Sequence, residues 1–197
     1  MVALLQSQFL ILGDKLSHMN SQKLGKYDNS WFDRGRPRWI EVLWQLVSLF
    51  IVSPIPGSRL RIILLSVFGA RIGSGVVAKP RLKVTFPWRL IVEDDCWIGE
   101  CVWIDNLAQV YVSRDSCLSQ GVYICTGNHD WKSETFDLRV EPVNIESGAW
   151  LGAFSLVGPG VTIHQDAVVS MGSVVVSDVP EATIVSGNPA EVVRERI

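Results

Sequence analysis

IESGAWLGAFSLVGPGVTIHQDAVVSMGSVVVSDV, residues 145–179, carries the pattern that decides the fold. From Ile145 an aliphatic side chain returns at every sixth position: Leu151, Val157, Ile163, Val169 and Val175. Ile, Leu and Val make up 60 of the 197 residues. Six chosen positions would all be aliphatic by chance with a probability of only about 0.0007. Four places after each member stands a second, smaller column: Ala149, Ser155, Val161, Ala167, Ser173 and Val179. A helix cannot bury such columns, because six residues advance about 600° and set successive members about 120° apart. A short flat strand and a turn in each hexad satisfy the pattern, with both columns pointing inward along a triangular solenoid.

The same hexad runs backwards through Val112, Leu118 and Ile124, then Val92, Ile98 and Ile104, and more weakly through Ile72, Ala78 and Val84. Its frame slips only between triplets, at residues 90–91, 110–111 and the fifteen-residue insertion 130–144. Three hexads therefore make one coil, with the insertions at one corner, and fifteen hexads make five coils. In the first coil Leu82 and Trp88 replace the small residues, as in a terminal cap. The expected fold is an all-β solenoid of about five coils over residues 71–180, with an N-terminal helical, apolar segment over 1–70. The tail 181–197 reads as a strand, a turn at Ser186–Asn188 and a short helix opening with Pro189.

Eighteen Lys and Arg against 20 Asp and Glu leave a net charge of −2, which excludes nucleic-acid binding by bulk charge. With 48% hydrophobic and 19% charged residues, the chain is not disordered. Its four cysteines, Cys96, Cys101, Cys117 and Cys125, form no C-x-x-C pair and read as buried thiols of a reducing compartment. The first eighteen residues carry neither a basic leader nor a small-x-small cleavage site, which points to a cytoplasmic protein. The apolar run Trp39–Val52 is too short for an ordinary membrane span. Trp39, Val42, Leu43, Leu46, Val47 and Phe50 fall at helical spacing, and Leu60–Phe68 is a second apolar segment. Two readings stand for residues 39–68. They are helices covering the open end of the solenoid, or an interfacial hairpin at the inner face of a membrane, with Arg34, Arg36, Arg38, Arg59 and Arg61 toward headgroups.

Long loops on rigid scaffolds carry function, and the one long interruption opens with Thr126-Gly127-Asn128-His129-Asp130-Trp131. His129 is the candidate catalytic residue. His18 and His164, the other two histidines, read as surface side chains. A zinc site needs three converging ligands; His129 and His164 are 35 residues apart and lack a companion, so no metal is expected.

Together with the TGNHDW loop, Ile145–Ala153, Val157–Ile163 and Ser186–Ala190, the hexads resemble the hexapeptide-repeat acyltransferases. The segments YDNSWFDRGR from Tyr27, LWQLV from Leu43, FPWRL from Phe86 and CWIGECVWIDNLA from Cys96 are similar to a narrower group, the colanic acid biosynthesis O-acetyltransferases, related to the maltose, galactoside and nodulation-factor enzymes. The resemblance covers residues 25–196. It implies a left-handed parallel β-helix assembled as a homotrimer, with sites in the clefts between subunits and acetyl-CoA as co-substrate.

It places the general base on His129, because imidazole titrates near neutral pH and can both take and return a proton. The backbone N–H of Ala153, after Trp150 and Gly152, falls where the family meets the thioester. Met171 and Gly172, then Val176 and Ser177, then Pro189 and Arg194 continue the cofactor track, Arg194 toward the phosphates. Relatives commonly carry Thr-Lys at Val176-Ser177 and a basic residue at Glu191. On the acceptor side Asp105 and Asn106 match the family's sugar-binding position. Trp103 and Trp131 are either stacking platforms for a pyranose or packing residues. Asp130, Glu134 and Asp137 are the carboxylates considered for orienting His129. The implied function is acetyl transfer to a sugar hydroxyl, on a free sugar or a lipid-linked oligosaccharide acceptor in exopolysaccharide synthesis. A small-molecule acetyltransferase and a non-catalytic scaffold are the alternatives.

Overall fold

The computed structural model describes residues 22–197. The leader reading of the first eighteen residues and the placing of His18 fall outside them. Residues Arg34–Asn128 with Val140–Ile197 form one compact unit; the described residues up to Asp33 with His129–Arg139 form another.

The larger unit is a triangular solenoid of three parallel sheets. Its second sheet shows the register: Ile98 lies beside Leu118, then Leu151, Val169 and Val185, all buried. The first and third sheets have five parallel strands, and the second has a sixth, Thr183–Gly187. Five coils and one strand of a sixth result. The aliphatic column is buried from Ala78 to Val175, and so is most of the small column, from Val76 to Val179. Residues 90–91 and 110–111 do not swell a corner, as their reading as insertions implies. Leu90, Val110 and Val143 are buried and in register, so each break adds one inward residue to the first strand of its coil.

At two of the three corners of each coil the strands turn because the residue three places after the aliphatic position adopts the left-handed conformation. Gly75, Asp95, Cys101, Asp115, Gly121, Gly148, Phe154, Asp166 and Gly172 all have positive φ. That conformation costs an ordinary side chain roughly 1–2 kcal/mol, which explains why the column is rich in Gly and Asp. The signal was present in the sequence beside the two inward columns.

Among the described residues one buried hydroxyl, Ser155 Oγ in the small column, has no hydrogen-bond partner. Burying such a group costs about 1–3 kcal/mol. Ser155→Ala is therefore expected to stabilise the protein by about 1 kcal/mol, read as a raised urea midpoint; an unchanged or lowered midpoint would contradict it.

Two helices, α1 (Arg38–Val52) and α2 (Arg59–Val67), pack on the first coil. Trp44 is buried and donates its Nε1–H to Val84 O at 3.0 Å. Ile51 and Leu65 are buried with it. The capping reading thus holds for one face, but of the six stripe residues only Val47 takes part, beside Trp44 and Ile51, while Trp39, Val42, Leu43, Leu46 and Phe50 are exposed. Two of the five arginines read as facing headgroups are also committed elsewhere. Arg34 Nε donates to Glu41 at 2.7 Å, and this bond holds the Glu41 carboxyl below its ordinary range. Arg61 is buried, donating to the carbonyls of Ile51, Ser53, Ile55 and Gly57. It closes the C-terminal end of α1, whose last carbonyls have no intrahelical partners.

The tail corrects the sequence reading. Instead of a helix opening at Pro189, residues Ala190–Glu195 form a strand antiparallel to Thr183–Gly187. A parallel sheet ending in an open edge exposes unpaired N–H and C=O groups. Eight residues after Pro189 are too few for a stable isolated helix, and Val192 and Val193 favour the strand that covers the edge.

The insertion is a hairpin: Gly127–His129 and Leu138–Val140 form a two-stranded sheet.

Candidate active site

His129 ends the first strand of the hairpin. Its Nδ1–H donates to the backbone carbonyl of Phe136 at 2.8 Å. A carbonyl can only accept, so the neutral imidazole carries its proton on Nδ1 and its lone pair on Nε2. The Phe136 ring lies parallel to the imidazole, with centroids 4.1 Å apart and planes inclined by 7°. Tyr27 meets the imidazole edge-on at 5.4 Å. Phe136 itself has φ of 53°, a left-handed conformation that turns its carbonyl and ring onto the same neighbour.

The three carboxylates considered as orienting groups are engaged elsewhere. Glu134 takes Lys23 Nζ at 2.6 Å and Lys26 Nζ at 3.1 Å, and the Lys23 contact leads in holding its carboxyl below the usual range. Asp130 pairs with Arg139 and accepts from Lys132 N. Asp137 accepts from Thr135 and Ser133, which lower its pKa. Sequence reasoning missed Phe136 and Tyr27. A backbone carbonyl leaves no residue-type signature, so only Tyr27, within the quoted YDNSWF run, was within its reach.

On the third sheet, Asp105 Oδ1 accepts from Thr85 Oγ1 at 2.7 Å, and Oδ2 from Tyr123 OH at 3.4 Å. Burial, then the neighbouring Cys125 and Asp105, push the Tyr123 phenol up, so it remains a donor to the carboxylate. Asn106, expected beside Asp105 on the acceptor side, is turned inward. It is fully buried, with Oδ1 accepting from Phe86 N at 2.8 Å and Nδ2 donating to Phe86 O at 2.7 Å. Its amide therefore clamps the preceding coil and fixes the corner after Asp105. Trp103 packs on Tyr123 at 4.7 Å under Lys83 Nζ at 3.7 Å. Trp131 is 70% exposed, with Lys132 Nζ 5.2 Å from its ring.

Gly152, Ala153, Met171 and Gly172 share one corner of two adjacent coils. A Cβ on Gly152 would lie 2.6 Å from Met171 N, so only glycine allows this approach. Gly152 N donates upward to Val169 O and Phe154 N downward to Gln120 O. Between them, among the described residues, no acceptor meets the Ala153 N–H. The Ala153 carbonyl accepts from Gly172 N at 2.9 Å. Trp150, on the strand entering this corner, donates Nε1–H to Ser119 Oγ at 2.9 Å. Met171, Val176 and Ser177 are exposed. Pro189 and Arg194 lie apart from them on the terminal hairpin, with Arg194 exposed opposite Ile184. Gly187 N, donating to Ser173 Oγ at 3.2 Å, ties that hairpin to the hexad that carries Met171 and Gly172. Among the described residues no three His, Cys, Asp or Glu gather as metal ligands.

No protein-family model matches the chain. It is, however, 37% identical over 167 residues to a provisionally named colanic acid biosynthesis acetyltransferase, WcaF of Escherichia coli (strain K12), a match covering 84% of this chain and 92% of that protein. The chain belongs to the WcaF family of hexapeptide-repeat acetyltransferases. The solenoid matches a hexapeptide-repeat acetyltransferase of Vibrio cholerae complexed with acetyl coenzyme A, with a TM-score of 0.75 at 22% identity over 81% of this chain and 88% of that one. A galactoside acetyltransferase in complex with coenzyme A has a TM-score of 0.67 at 18% identity, covering 81% of this chain and 82% of that one. The fold of this WcaF-family chain is thus the left-handed parallel β-helix.

Proposed function

We propose that the chain, as a homotrimer, transfers acetyl from acetyl-CoA directly to a hydroxyl of a sugar, on a lipid-linked exopolysaccharide unit, with His129 as general base. The tautomer of His129 carries this reading: donation from Nδ1 to Phe136 O leaves Nε2 as the acceptor a hydroxyl requires. The relation to WcaF supports the exopolysaccharide assignment, and the coenzyme complexes of structurally similar proteins support the donor.

In the proposed reaction Nε2 takes the proton as the acceptor oxygen attacks the thioester carbonyl carbon. The oxyanion so formed calls for a fixed donor, a role assigned to the Ala153 N–H. Collapse breaks the C–S bond, and the imidazolium returns its proton to the leaving thiolate, giving the acetyl ester and CoA. Gly172, with open space where a Cβ would stand, and exposed Met171 suit the pantetheine arm. Arg194 is assigned to a phosphate, and Asp105 to an acceptor hydroxyl.

Calorimetric titration with acetyl-CoA tests the reading without a guess at the acceptor. Saturable binding near one site per chain is expected, with Arg194→Ala weakening it about tenfold through the lost charge-assisted contact. Absence of binding at millimolar acetyl-CoA would overturn it.

A further inference from the structure

α1 has two apolar faces. One packs on the first coil; the other presents Trp39, Val42, Leu43, Leu46, Leu49 and Phe50, each between 44% and 69% exposed. Their spacing is that of a helical stripe, and a soluble helix normally fills such a stripe with polar residues. α2 adds Leu60, Ile63 and Val67, and the connecting loop adds Ile55. The two outward stripes meet: Leu43 and Val67 line one groove between the helices, and Phe50 and Leu60 another. Monomeric soluble proteins seldom leave so continuous an apolar face in water.

Charge says what covers it. Residues 34–68 contain five arginines and one acid, Glu41, in a chain of net charge −2. With Arg34 on Glu41 and Arg61 buried, the exposed charges are Arg36, Arg38 and Arg59, all cationic. Arg36 and Arg38 stand at the start of α1 and Arg59 at the start of α2, so cations flank the apolar face at both ends of the hairpin. Two copies joined face to face through this patch about a two-fold axis would oppose arginine to arginine, and in a cyclic trimer the patch would have to meet a different surface of the neighbour. An anionic leaflet accepts both the apolar stripe and the guanidinium groups. Among the described residues no helix is long and apolar enough to cross a membrane, so the contact is one of lying on the surface.

We propose that the outer face of α1 and α2 docks the protein on an anionic lipid bilayer. This deepens the preceding reading, because a lipid-linked acceptor is met at such a surface, but vesicle binding requires no turnover and is measured separately.

The test is flotation of the full chain with vesicles of phosphatidylcholine alone and of phosphatidylcholine mixed with phosphatidylglycerol. Flotation with the mixed vesicles is expected, with much less on phosphatidylcholine alone. The double variant Leu46→Glu/Leu49→Glu should bind the mixed vesicles at least about tenfold more weakly, having lost apolar contact. The triple variant Arg36→Ala/Arg38→Ala/Arg59→Ala should lose roughly a hundredfold. Unchanged acetyl-CoA titration in both variants would show an intact fold and separate docking from the acetyl-transfer reading. No flotation of the parent chain with anionic vesicles at low salt, or unaltered binding by both variants, would overturn the proposal. A fall in molecular mass by light scattering in the Leu46→Glu/Leu49→Glu variant would also overturn it, by showing that a second copy covers the face.

Discussion

His129→Ala is expected to lower kcat by about 10²–10⁴-fold while acetyl-CoA affinity and the thermal midpoint stay within error. Removing the imidazole takes away the group proposed to accept the hydroxyl proton. It also removes the Nδ1–H that Phe136 O accepts and the ring stacked on Phe136, but neither belongs to the buried solenoid core. The loss should therefore fall on turnover. Steady-state kinetics with a sugar acceptor, beside calorimetry and a melting curve, decide it. Turnover within threefold of the parent would sink the mechanism. A second readout does not depend on turnover: the nitrogen chemical shifts of His129 should report a proton on Nδ1 in the neutral ring, as donation to a carbonyl demands. A proton on Nε2 would leave the wrong nitrogen available for catalysis.

Trp44→Ala should destabilise the protein by about 3–5 kcal/mol. Trp44 is buried between α1 and the first coil, and its indole N–H satisfies Val84 O. Deletion leaves a cavity in the cap and a carbonyl without its partner, and both costs add. For a chain of this size that corresponds to a fall in thermal midpoint of roughly 6–20 °C. Leu46→Ser, two residues further along the same helix but exposed, should change stability by less than about 0.5 kcal/mol. Equal effects at the two positions would mean that the inward face of α1 has been misassigned. Urea unfolding of the two variants side by side provides the comparison.

The contrast between Trp44 and Leu46 also marks the limit of sequence reading here. A helical stripe at 39, 42, 43, 46, 47 and 50 is visible in the sequence, and the ordinary inference sends it to the core, where only Val47 of the six packs. The helix is apolar on both sides, so periodicity alone could not choose the inward face. Packing against Leu82, Val84 and the rest of the first coil made the choice. The site shows a similar division. His129, the candidate base, and the insertion it opens stood out because an insertion in a regular repeat is conspicuous. The orienting group of His129 did not, because a backbone carbonyl is common to every residue. Asn106 was read as a sugar partner from its match to the family's sugar-binding position, and only its place in the fold shows both ends of the amide spent on Phe86.

The hexad period by itself determined the three-sided solenoid, its five coils, the inward columns and the place of the hairpin. Each coil repeats the same local demand for an aliphatic residue, a small one and a turn, and stacking neighbours answers it. The tertiary structure alone decided how the ends of that repeat are closed, by Trp44 and Arg61 at one end and by the antiparallel strand Ala190–Glu195 at the other. A terminal coil has no next coil to pair with. Which segment covers it therefore depends on contacts between residues far apart in the chain, and these no local period encodes.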